Sequence, residues 1–147
     1  MAGLLCSLVP TNGIAFSAGV EKTGLILTAP ANHRLHLTQF GAGSTLASPT
    51  VVPGKVTIYR ATTAGTFTAL SPLRLVDGSE NPLSTGGYNA TVEPTVGDIL
   101  KVFYIDRGYA ESRALDKPIV IPGGGRIAIK FEFAVAVAII PYFEFEE

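Results

Sequence analysis

The sequence predicts an all-β protein: an antiparallel β-sandwich, jelly-roll-like, of about eight to ten short strands with essentially no helix. Three observations lead there. Residues 125–147 read as two long strands entered by the turn Ile121-Pro122-Gly123-Gly124-Gly125-Arg126. In the first, Ile127, Ile129, Phe131 and Phe133 alternate with Arg126, Ala128, Lys130 and Glu132; in the second, Val135, Val137, Ile139, Phe143 and Phe145 share one parity, interrupted by Pro141. A period of two buries one face and leaves the other to water or a partner. The 147 residues also hold 16 glycines and 10 prolines, above the roughly 12% of an average protein, and their spread marks many tight turns. No stretch carries a helical period, and no βαβ alternation calls for a parallel sheet.

In chain order, residues 1–12 read as an N-terminal arm, apolar and ending at Pro10 with the turn Thr11-Asn12-Gly13 behind it; residues 13–147 read as a single β-sandwich domain. Strands are expected over 14–18 and 21–28, then a turn at Ala29-Pro30-Ala31-Asn32, then a strand over 33–40. Residues 41–53, rich in Gly, Ala, Ser, Thr and Pro, read as a long loop, a length that is often functional. Strands follow over 55–61 and 66–70, with turn residues at Asp77-Gly78, Asn81-Pro82 and Gly86-Gly87 before a short strand over 88–92. Glu93-Pro94-Thr95-Val96-Gly97-Asp98 is a corner, and residues 99–105 are a strand. Residues 107–117 mix Arg107, Glu111, Arg113, Asp116 and Lys117 and read as an exposed, salt-linked loop. Eight strands in two sheets is the jelly-roll count.

Composition narrows the function. Hydrophobic residues make up 47% and charged residues 16%, against roughly 25% charged in an average soluble domain. A surface so poor in charge suits one covered by other subunits. Net charge is −1 and the 11 Lys and Arg are scattered, so no nucleic-acid partner is expected. No apolar run reaches the ~18 residues of a membrane helix, and residues 1–10 lack the charged region of a secretory signal. One cysteine, Cys6, excludes an internal disulfide.

Chemistry is hard to find. His33 and His36 are three apart, so on a strand they point to opposite faces, and no further His is available for a metal site. The triple glycine at 123–125 lies between strands rather than before a helix, and reads as a turn needing positive φ. Glu132, Glu144 and Glu146 lie opposite the apolar stripe, either solvated or paired with Arg126 and Lys130 across a hairpin. No G-x-S-x-G elbow occurs, and Asn89-Ala90-Thr91 is a sequon without a secretory signal. No catalytic residue, cofactor or metal is therefore expected.

A resemblance rests on the order of several short motifs: Thr28-Ala29-Pro30-Ala31-Asn32-His33-Arg34; Ile58-Tyr59-Arg60-Ala61-Thr62-Thr63-Ala64-Gly65-Thr66; Glu93-Pro94-Thr95-Val96-Gly97-Asp98; Val120-Ile121-Pro122-Gly123-Gly124-Gly125-Arg126-Ile127; and the ending Phe143-Glu144-Phe145-Glu146-Glu147. Together these span most of residues 20–147, and in this order they resemble tailed-bacteriophage capsid decoration (cement, or auxiliary head) proteins with jelly-roll-like folds. The resemblance implies a structural virion protein on the capsid surface, made in the host cytoplasm. It would bind and stabilise the shell of major capsid protein as a homotrimer, with no enzymatic activity. Leu4, Leu5, Leu8 and Val9 of the arm are the expected partner-binding residues, and deleting residues 1–10 is expected to abolish binding while sparing the fold. The alternative is a carbohydrate- or receptor-binding β-sandwich module of a head fibre or tail, which predicts an exposed cluster of Tyr88, Tyr104 and Tyr109.

Overall fold

Alternating apolar residues build two facing sheets, and the computed structural model describes residues 3–44, 54–78, 80–105 and 111–147 of them. Among the described residues there are twelve strands and no helix: β1 (Leu5–Leu8), β2 (Ile14–Phe16), β3 (Lys22–Thr28), β4 (Leu35–Ser44), β5 (Gly54–Ala61), β6 (Thr66–Leu70), β7 (Leu73–Arg74), β8 (Thr85–Val92), β9 (Val96–Ile105), β10 (Glu111–Ile121), β11 (Arg126–Phe133) and β12 (Val137–Glu146). Every pairing is antiparallel. The first sheet runs β10-β4-β12-β1-β7, with β2 also on β12; the second runs β6-β8-β3-β11-β5-β9. The all-β sandwich is as the sequence predicts, with somewhat more strands.

The two C-terminal strands are not a hairpin. β11 sits between β3 and β5 in the second sheet, and β12 sits in the first. Their apolar faces meet across the core rather than side by side, and Ile127, Ile129, Phe131, Phe133, Ile139, Phe143 and Phe145 are all buried there. Phe16 packs edge-on against Phe131 and Phe133, with ring centroids 5.4 and 5.5 Å away, while Phe131 and Phe133 stack at 5.9 Å. Such pairs add to the burial of the rings themselves. The expected pairing of Glu132, Glu144 and Glu146 with Arg126 and Lys130 falls with the hairpin. Lys130 instead meets Glu21, with 2.6 Å between Nζ and Oε1, and Glu146 accepts the N–H of Gly3.

Residues 1–12 are not a free arm. β1 pairs with β12 on one side, from Leu5↔Glu146 to Leu8↔Phe143, and with β7 on the other. Beyond the ladder, Leu4 and Glu147 exchange backbone hydrogen bonds of 2.8 and 2.9 Å. The physical reason is the alternation within the strand itself: Cys6 and Leu8 enter the core while Leu5 and Val9 stay outside. Residues 111–117 are likewise strand rather than loop. β10 is the edge of the first sheet, where both faces can carry charge without burying it. β4 continues past Phe40 through Gly41-Ala42-Gly43-Ser44, small residues that fit against Ile139–Tyr142 of β12. The remainder of the expected loop, residues 45–53, and Arg107 lie outside the described residues.

The outer face of the second sheet is also covered. Tyr59, Ala61, Ile26 and Ala128 point away from the main core and form a second small cluster, capped by Phe67 of β6. The β6–β8 ladder reaches them by bending. Asn89 takes a φ of 56° within β8, a conformation Asn tolerates better than most residues, and the β6–β8 register shifts between Thr66 and Thr68. The turn Thr62–Gly65 starts the return, with Gly65 at φ 63°. A Cβ there would also collide with the Val92 carbonyl, 2.5 Å away. The expected glycine turn before β11 is present too, with Gly124 at φ 74° and the Gly125 N–H bonded to the Pro122 carbonyl at 2.8 Å.

Candidate interaction surface

The outer face of the first sheet carries an apolar patch where β1 meets β7. Leu73 lies opposite Ser7 in the ladder, and the Leu75 N–H continues it by donating to the Leu5 carbonyl at 2.8 Å. Paired residues share a face, so Leu5, Leu73 and Leu75 project together on the side away from the core. Leu73 is 64% exposed, Val76 58% and Leu83 61%. Leu83 is tied to the same end of the molecule because Glu147 accepts its N–H at 2.8 Å and also binds the N–H and hydroxyl of Ser84. Exposed apolar side chains gathered at one end of a sheet are candidates for an interaction site.

Of the four residues expected to bind a partner, the structure divides the set by parity. Leu5 and Val9 are exposed, at 38% and 40%. Leu8 is fully buried and belongs to the core, and Leu4 packs partly against it. Leu8 thus has no surface to offer. The sequence reading missed Leu73, Leu75, Val76 and Leu83, because they lie between turn residues and show no alternation; the signal available was four large apolar residues within a turn-rich stretch.

Cys6, next to these residues, is buried. Burial, then the Glu147 charge, pushes its thiol up to about 11, so it stays protonated and unreactive at neutral pH.

A polar latch sits under the bend on the opposite sheet. Glu93, in the corner after β8, accepts the Thr23 N–H through both carboxylate oxygens at 2.9 and 3.2 Å, and the Thr23 hydroxyl at 2.5 Å. Thr23 has one hydroxyl proton and gives it to Glu93, so the buried Tyr59 hydroxyl, 2.7 Å away, donates to Thr23 Oγ1. Burial raises the Tyr59 phenol to about 12; the Thr23 hydrogen bond works against that rise, and the charges of Glu93 and Glu21 add to it. Lys130 Nζ lies over the Tyr59 ring at 5.4 Å. The arrangement is fully hydrogen-bonded and holds the corner onto the sheet. Glu93→Ala strips the Thr23 N–H and hydroxyl of their acceptor, and is expected to lower stability by about 1–3 kcal/mol in urea denaturation. Wild-type stability in that variant would show that the latch carries no weight.

The remaining candidates stay apart. His33 is in the turn before β4 and His36 is on the outer face opposite Glu146. No group of three or more His, Cys, Asp or Glu suited to a metal ion occurs among the described residues. Tyr88 is half-buried on β8 and packs against the core, whereas Tyr104 is 72% exposed on β9, with three strands between them in the sheet order. They do not form a cluster, and Tyr109 lies outside the described residues. The side-chain oxygen of Asn89 in the sequon is buried.

No known family, curated protein or solved structure matches the chain.

Proposed function

We propose that the protein is a structural component of a virion, a decoration protein that binds and stabilises a shell of major capsid protein, as a trimer, without enzymatic activity. The observation that supports this reading is the apolar patch of Leu5, Leu73, Leu75, Val76 and Leu83 on the outer face of the first sheet, in a chain with 16% charged residues. Exposed apolar side chains are what stable assemblies cover. The rigid strand pair β1–β7 would present them without the ordering cost that a free arm incurs on binding. The order of sequence motifs supplies the kind of partner.

The test combines light scattering with co-sedimentation on expanded empty capsids. The expected result is a trimer that sediments with shells at fixed stoichiometry. Leu73→Glu with Leu75→Glu should keep the wild-type melting temperature, since both side chains are exposed, and weaken shell binding roughly thirtyfold by removing about 2 kcal/mol of anchoring. A monomer that stays in the supernatant removes the reading. Binding unaffected by the double substitution moves the contact elsewhere on the surface.

A further inference from the structure

We propose that the groove between β9 and β10 binds an extended acidic segment of a partner protein, laid alongside the two strands with its carboxylates toward Lys101 and Lys117. β9 ends the second sheet and β10 ends the first, and they do not pair with each other. Between them runs a groove of about 540 Å³, lined by Phe40, Lys101, Phe103, Arg113, Leu115 and Lys117 among others.

Its floor is aromatic and built in. Phe40 and Phe103 lie with ring centroids 5.5 Å apart, and the Arg113 guanidinium sits over Phe103 at 4.4 Å. Its far end is held by Arg60, which donates to the Val120 carbonyl across the gap between the sheets at 3.1 Å.

Two features say what fits. The first is main-chain. Among the described residues β9 and β10 each end a sheet with no strand on the outer side, and the β10–β4 register shifts between Ala114 and Ile119. Open strand edges are completed by an added strand, with main-chain hydrogen bonds supplying affinity and alternate side chains specificity. The second is charge. Among the described residues the lining holds Lys101, Arg113 and Lys117 against one acid, Asp116. An extended segment whose side chains alternate apolar and acidic would set its apolar set on the half-buried Phe103 and Leu115, backed by the core residue Phe40, and its carboxylates beside the lysines. Arg113 is already stacked on Phe103 and shapes the floor.

The experiment uses the full chain and two labelled octapeptides, one alternating Val and Glu and the other Val and Lys, read by fluorescence anisotropy. The Val/Glu peptide should bind, and the Val/Lys peptide should bind at least tenfold more weakly. In Lys101→Glu with Lys117→Glu the preference should reverse, which no loss of fold could produce. Amides 114–117 should gain protection from hydrogen exchange on peptide binding. Equal affinity for both peptides, no binding of either, or an unchanged preference in the double variant overturns the proposal. So does a sulfated oligosaccharide that saturates the groove when the peptide does not.

Discussion

Removing residues 1–10 is expected to unfold the protein rather than to release it from a partner. β1 lies between β12 and β7, so its loss strips a four-residue ladder from one neighbour and the pairing of the other. Cys6 and Leu8 are fully buried, and Leu8 is held so closely that a Cβ on Gly86 would fall 2.6 Å from its methyl carbon. Burying a residue such as Leu is worth about 1.5–3 kcal/mol. With Leu8, Cys6, part of Leu4 and the backbone ladder gone, the loss approaches the whole 5–15 kcal/mol stability of an ordinary domain. Far-UV circular dichroism and a thermal melt of residues 11–147 would check it. A cooperative melt within a few degrees of the full chain would mean that β1 contributes little. Leu8→Ala is the gentler version, expected to cost about 2–5 kcal/mol.

Phe131→Ala should have the largest effect of any single core change. The ring is fully buried, touches Phe16 edge-on and Phe133 face-on, and lies 3.1 Å from where a Cβ on Gly24 would stand. Neighbours from β2, β3 and β11 are each anchored in a ladder, so they have little freedom to collapse into the space. The expected loss is about 3–5 kcal/mol, or roughly 10–15 °C in melting temperature at this chain length. A drop of under about 1 kcal/mol would show that the cavity refills.

The elements that were legible share one property: a long alternation with one buried face. β11 and most of β12 could be read because each places four large apolar side chains at a period of two; Val135, expected in the same inward set, lies before β12 and is exposed. Which sheet each joined could not be read, because alternation states that a face is buried and not what buries it. β10 was hidden because an edge strand is free to hold Arg113, Asp116 and Lys117 exposed, so its composition resembles a loop. β1 offered four residues, too few to separate a strand from an apolar tail. The Glu93 latch depends on Thr23, 70 residues away in sequence, and nothing local in Glu93-Pro94-Thr95 announces it. Parity divides the expected contact set, since Leu5 and Val9 face outward and Leu8 faces the core. The neighbouring Leu73 and Leu75 became visible only once β7 was seen to extend the sheet.

The pairing of β1 and β2 with β12 also orders events in time. β2 can find its partner, and β1 the longer of its two ladders, only after Val137–Glu146 exists. Contacts between distant parts of a chain form slowly, because loop closure precedes any gain from them. On the ribosome the second sheet could assemble as far as β11 while β1 and β2 waited with open edges. The first sheet would close last, in a single step joining the beginning of the chain to its end.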